Sequence, residues 1–210
     1  MGAFKVYKKG VFCLEGDWNR DLTRSPSVEP ILELLCRAED YCMPYLHRHV
    51  ATRHDLAHHL TTWTQKKYSS FPILYLAFHG DPGTIKVSDR RRGMNLVSLD
   101  ILEEQLRGKC GGRIIHFGSC ATLAVGGRRV DAFLQATGAL AVCGYLDYVD
   151  WLKSTAFDLL VLSAMQQNTL TPSGVRAMQR RISREAPGLA KELTFRMIVR
   201  KGTRRAPRKE

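Results

Sequence analysis

Two short segments hold residue types that can do chemistry near neutral pH. His79-Gly80 closes an apolar run over residues 71–78, and Gly118-Ser119-Cys120 closes a second run over residues 114–117. An imidazole can take a proton and a thiol can lose one, so a His and a Cys within reach of each other form a base and its nucleophile. Reach depends on the strands that carry them. Apolar runs of this length, with β-branched and aromatic content and a closing glycine, predict buried strands of a parallel sheet. In an open α/β sheet the ligand site lies outside the carboxyl ends of the strands, and neighbouring strands lie about 4.8 Å apart. The two motifs are therefore expected on one rim.

The elements that position them alternate along the chain. Residues 11–14 predict a first strand, residues 27–37 an amphipathic helix capped by Ser27, and residues 45–50 a more polar, outer strand. A helix over residues 52–67 carries Leu56, Leu60 and Trp63 as its inner stripe. After the 71–78 strand come a hairpin around residues 84–87 and a helix over 98–107 stopped by Gly108. Beyond Cys120 follow a helix over 128–136 ending at Gly138, a buried strand over 139–146 and an unusually apolar helix over 151–167. Pro172 breaks the chain before a basic helix to residue 184, and residues 195–200 add a last strand. Strands alternating with helices in this way give an α/β fold with a mostly parallel sheet.

The 210 residues, 44% hydrophobic, suit one domain with a core that needs no disulfide or metal. The expected division is a domain over residues 1–201 and a basic tail over 202–210. No apolar run reaches the roughly eighteen residues of a membrane span, and residues 1–5 lack signal-peptide architecture. Val6 stands where N-myristoylation wants Ser or Thr. Six cysteines without a CxxC pair read as thiols of a reducing compartment, so a cytoplasmic protein is expected, with no membrane partner. The formal charge of +12 is uneven, because twelve Lys and Arg against three Glu follow Leu170. Such a tail either holds nucleic acid through phosphates or is a solvated end, and it lacks the aromatics that base stacking needs.

Two patterns imitate other sites. His54-Asp-Leu-Ala-His58 has the spacing of a zinc-binding helix, with His47 and His49 upstream, but Asp55 replaces the required Glu. At about 100° per residue both histidines point away from the apolar stripe, so no metal is expected there. Gly111-Gly112 and Gly126-Gly127 fit neither phosphate-binding glycine pattern, and no nucleotide cofactor is expected.

At His79-Gly80 and Gly118-Ser119-Cys120 the sequence resembles the caspase-like cysteine peptidases, the superfamily of caspases, gingipains, separases and bacterial CHAT domains. Members carry a general-base His-Gly after one buried strand and their cysteine after the next. The run over residues 138–150 with the apolar helix behind it also looks like the post-cysteine strand, loop and helix of CHAT and separase domains, so the resemblance extends over residues 71–165. Gly-Ser-Cys-Ala-Thr replaces the Gln-Ala-Cys signature of caspases themselves, and Asp specificity is not carried over.

The resemblance implies a caspase-like three-layer sandwich, a sheet of about six strands in the order 2-1-3-4-5-6 with helices on both faces. It implies a cysteine endopeptidase with His79 as base and Cys120 as nucleophile, and an oxyanion hole formed by the N–H groups of Gly80 and Cys120. Separase-like relatives carry an acidic residue in the loop after the fifth strand that receives a basic P1 side chain, which points to Asp147 and Asp150 for substrate binding. Asp150 is equally placed to cap the helix that follows. His116, four positions before Cys120, is expected in the core. The expected partners are a protein or peptide substrate and, left open, an activating protein, with bacterial regulated death or defence as the setting. Two alternatives stand beside this reading: a catalytically silent interaction module of the same fold, and a basic protein that binds nucleic acid through its C-terminal tail.

Overall fold

The computed structural model describes residues 8–202 apart from positions 20, 22, 25 and 90; the expectations for residues 1–7 and for the basic tail from 203 onward lie outside the described residues. In chain order the elements are β1 (Val11–Glu15), α1 (Glu29–Arg37), β2 (Tyr45–His49), α2 (Arg53–Thr64), β3 (Ile73–Ala77), β4 (His79–Asp81), β5 (Thr84–Lys86), β6 (Leu96–Ser98), α3 (Leu99–Leu106), β7 (Ile114–Phe117), α4 (Gly127–Thr137), β8 (Ala141–Tyr145), α5 (Trp151–Gln166), α6 (Pro172–Glu185), α7 (Pro187–Glu192) and β9 (Phe195–Val199).

Among the described residues the large sheet has six strands in the order β2-β1-β3-β7-β8-β9. All its pairings are parallel except β8 with β9. The numbering departs from an unbroken 2-1-3-4-5-6 because β4, β5 and β6, between β3 and β7, form a separate antiparallel sheet where only a hairpin was expected. β3 and β7 are direct neighbours, with Leu76 opposite Phe117.

Strands β1, β3, β7 and β8 are buried along their whole length. Helices cover both faces, so both sets of alternating side chains are mostly apolar and the strands read as apolar runs, with buried Glu15 and His116 as hydrogen-bonded exceptions. Val11, Cys13, Ile73, Tyr75 and Cys143 enter one core with the inner faces of α1, α5 and α6. Phe12, Leu14, Leu74, Leu76 and Phe117 enter the other with α2, α3 and α4.

The helix starts show how local chemistry fixes the elements. Thr52 Oγ1 accepts from the Asp55 N–H (3.1 Å) and Asp55 Oδ2 accepts from the Thr52 N–H (2.9 Å), a reciprocal box that satisfies two otherwise unpaired donors. Asp55, the residue that spoils the zinc-like pattern, is thus committed to starting α2. Leu56, Leu60 and Trp63 are buried, each contributing roughly 1.5–3 kcal/mol or more, while His54 and His58 are exposed. The expected Ser27 cap is displaced by one residue: Val28 occupies the cap position of α1. Ser27 still contributes, since its Oγ accepts from the Glu29 N–H and donates to buried Glu15. Among the described residues no helix is long and apolar enough to cross a membrane. The apolar character of α5 reflects its place between α1 and α6.

Candidate active site

Strand β3 delivers His79 to the start of β4, and β7 delivers Cys120 three residues past its end. The Gly118 N–H donates to the Leu76 carbonyl (3.0 Å), so the two strand exits stay paired to this point. Gly80 then packs on the turn that carries the cysteine. A Cβ at position 80 would lie 2.4 Å from the Cys120 carbonyl oxygen and 2.5 Å from Thr122 Oγ1, so only glycine allows the approach. Thr122 Oγ1 donates to the Thr84 carbonyl (2.9 Å) and pairs with Ser119 Oγ (2.7 Å), tying the turn to the small sheet. Ala121 is held at φ 51°, a left-handed conformation uncommon for a residue with a Cβ, and its N–H donates to the Asp147 carbonyl (2.9 Å). Backbone strain of this kind gathers at functional turns.

The His79 ring is exposed, and its Nε2 lies 3.0 Å from the carbonyl oxygen of Trp18. A carbonyl only accepts, so Nε2 carries the hydrogen and Nδ1 is left with the lone pair of a base. The Trp18 ring meets His79 edge-on at 5.4 Å and Trp151 at 6.1 Å. Its indole N–H donates to Glu15 Oε1 (2.5 Å). The same buried carboxylate accepts from Ser27 Oγ (2.6 Å), the Val28 N–H (2.8 Å) and His47 Nε2 (2.6 Å). Burial alone would push the Glu15 carboxyl up; hydrogen bonds from His47, Ser27, Trp18 and Val28 outweigh it and hold the group below its ordinary value. The loop after β1 is thereby anchored where it can orient His79.

Cys120 Sγ accepts from the Val149 N–H at 3.5 Å and lies 3.7 Å from the Val149 carbonyl. The Cys120 N–H has no acceptor among the described residues. His79, Gly80 and Cys120 all line one open cavity of about 840 Å³, together with Trp18, Tyr148 and residues 87–89, 91–93 and 95 between β5 and β6. Its carboxylates are already partnered. Asp17 meets His49 (2.7 Å), Asp89 meets Arg91 (2.6 Å), and Asp81 meets Lys86 (2.5 Å) and accepts from Tyr148 (3.1 Å). The bond from Lys86 holds the Asp81 carboxyl below its ordinary value.

Of the residues expected here, His79, Gly80 and Cys120 come together. Asp147 and Asp150 are exposed and do not line the cavity. Asp147 Oδ1 accepts from the Tyr148 N–H (2.7 Å), and Asp150 Oδ1 accepts from the Lys153 N–H (2.8 Å) as the cap of α5. Two contributors had escaped notice. The Trp18 carbonyl is a main-chain atom with no signature in the sequence, and Val149 acts through its backbone. His116 lies in the core as expected, fully buried against Asp158.

No curated protein matches the chain. One family model matches residues 8–199, nearly all of the described structure, and the chain therefore belongs to DUF6642, a family of unknown function.

Proposed function

We propose that this protein is a caspase-like cysteine endopeptidase in which Cys120 is the nucleophile and His79 the base. The observation that carries the reading is the meeting of His79-Gly80 with Cys120 at one cavity, with glycine required at the contact. The strand order lends support: with the three short strands set aside, the large sheet runs second, first, third, fourth, fifth, sixth, the order the resemblance implies. In this mechanism Nδ1 of His79 takes the Cys120 thiol proton and the sulfur attacks the scissile carbonyl carbon. A C–S bond forms and the carbonyl π pair moves to oxygen, which the Cys120 and Gly80 N–H groups stabilise. Collapse breaks the C–N bond, and the amine leaves with the proton from the imidazolium. Water, deprotonated by His79, then attacks the thioester; the C–S bond breaks and the thiol is restored. An acyloxymethyl ketone peptide library applied to the intact protein, with mass-spectrometric mapping, tests this. Adducts on Cys120 that disappear in His79→Ala support it; adducts confined to other thiols overturn it.

A second reading, binding of nucleic acid, draws on α6 rather than on the tail. Arg176, Arg180 and Arg184 are exposed and recur every four residues, about 6 Å of rise apart. Arg176 and Arg180 have no carboxylate partner among the described residues, and Arg184 only shares Glu185 with Arg181. Like charges at this spacing repel, and a row of phosphates relieves that repulsion. The apolar side of α6 (Val175, Met178, Ile182) is buried, which leaves no apolar face for a lipid surface.

A further inference from the structure

On the α5 side of the sheet, behind the cavity, lies a cluster of titratable side chains that the proposed chemistry does not use. Asp158 of α5, 2% exposed, accepts three hydrogen bonds: from Tyr75 Oη to Oδ2 (2.7 Å), from His116 Nε2 to Oδ1 (2.7 Å) and from Tyr145 Oη to Oδ1 (2.5 Å). A carboxylate this deep is tolerable only with such donors. Burial and the Asp158 charge push both tyrosine hydroxyls well above their ordinary value, so they remain donors. Burial works against a charge on His116, but the adjacent Asp158 prevails and raises it.

The second ring nitrogen of His116 faces Cys143 Sγ at 3.3 Å. Cys143, His116 and Asp158 thus stand in the sequence of a catalytic triad, yet Cys143 and His116 are fully buried and no substrate carbonyl can reach the sulfur. The cluster serves geometry instead. Each donor comes from a different strand: Tyr75 from β3, His116 from β7 and Tyr145 from β8. Tyr75 and His116 are register partners with stacked rings, centroids 5.0 Å apart and planes at 16°. Four residues beyond Tyr75 is His79, four beyond His116 is Cys120, and four beyond Tyr145 is Val149, whose N–H donates to the Cys120 sulfur. The exit of β7 also passes directly over the carboxylate, since a Cβ at Gly118 would lie 2.4 Å from the Tyr75 ring and 3.1 Å from Asp158 Oδ2.

We propose that Asp158 is a positioning residue: one buried carboxylate on α5 fixes the mutual spacing of the three strand ends that present His79, Cys120 and the Val149 N–H. The inference rests on the reading of Cys120 and His79 as a dyad. Asp158→Asn keeps the shape of the side chain but sets an amide N–H₂ against at least one of three donors, and the strand ends shift. Misplacement on the ångström scale costs a reaction on the order of a hundredfold.

The test is site-resolved alkylation of the full chain by iodoacetamide, followed by mass spectrometry, with exposed Cys42 as the internal control and buried Cys13 and Cys110 as reporters of opening. Asp158→Asn is expected to lower the Cys120 rate relative to Cys42 by about ten- to a hundredfold, with Cys13 and Cys110 still protected; general destabilisation would instead speed the buried thiols. On a peptide substrate the loss should fall on kcat with KM within about twofold of wild type. Tyr75→Phe and Tyr145→Phe, which each remove one donor and keep the ring, should give smaller losses of the same kind, and they decide the matter if Asp158→Asn does not fold. An unchanged Cys120 to Cys42 ratio in a folded variant overturns the positioning role alone. A wild-type chain whose Cys120 reacts only after denaturation overturns the dyad reading and this inference with it.

Discussion

His79 Nε2 donates to the carbonyl oxygen of Trp18 at 3.0 Å, so the group that orients the candidate base belongs to the main chain and no side-chain substitution at position 18 deletes it. What a substitution there removes is the indole bond to Glu15 that holds the loop in place. Trp18→Ala is therefore expected to lower turnover by about tenfold, whereas His79→Ala removes the base itself and lowers it by about a hundredfold or more. Parallel kcat measurements on one peptide check the difference.

Cys120→Ala should abolish turnover and leave the thermal midpoint within a degree or so of wild type, because loss of one sulfur beside an open cavity creates little void. The double variant with His79→Ala should be no worse than Cys120→Ala alone, since residues acting as a unit are not additive. Calorimetry and progress curves on the same preparations provide both readouts.

Asp147→Ala is expected to leave the ratio of Arg to Leu cleavage at P1 unchanged, because Asp147 does not line the cavity. Asp81→Asn should alter that ratio and also free Lys86, its present partner. Fluorogenic peptides differing only at P1 separate the two. A shifted ratio in Asp147→Ala would restore the expectation drawn from separase-like relatives.

The Glu15 carboxyl is held below the ordinary glutamate value of 4.5. Its contribution to stability is complete above 4.5 and disappears as pH falls through the lowered value. Glu15→Gln should thus cost about 1–3 kcal/mol at pH 7 and progressively less below pH 4.5. Urea unfolding at pH 7 and at pH 3.5 measures the convergence.

Replacing Arg176, Arg180 and Arg184 together by Gln should weaken retention on duplex DNA and reduce the salt slope by about three, if each arginine meets one phosphate. Retention that is equally weak in wild type and variant removes the nucleic-acid reading.

The four fully buried strands were legible because burial on both faces leaves a largely apolar run, with His116 in β7 and Glu15 at the end of β1 as exceptions, and His79 and Cys120 were legible because each follows the close of one. β4 and β6 were not, since three-residue strands have no period to detect. Apolar content likewise says nothing about the antiparallel direction of β9. Asp158 had a signal that went unused: it is the lone carboxylate of a sixteen-residue apolar helix, and an acid in such a place must find donors. Those donors come from three strands distant in sequence, which no local pattern connects. Asp150 shows the reverse case: the resemblance to separase-like relatives pointed to substrate binding, while its place before Trp151 made the helix cap legible, and its side chain does cap the first turn of α5.

The small antiparallel sheet makes the protein modular. Residues of β4 through β6 and the segment between them form much of the cavity wall, yet β3 and β7 pair directly without them. Within the chain between Lys86 and Leu96, Val87 belongs to the core and Ser88 Oγ accepts from the Asp17 N–H (2.7 Å), whereas Arg91 and Arg92 are exposed, line the cavity and take no part in the pairing of β3 with β7. What enters the cavity can therefore be varied at those exposed positions apart from the strands that present His79 and Cys120, and a library confined to them is the natural starting point for redesigning it.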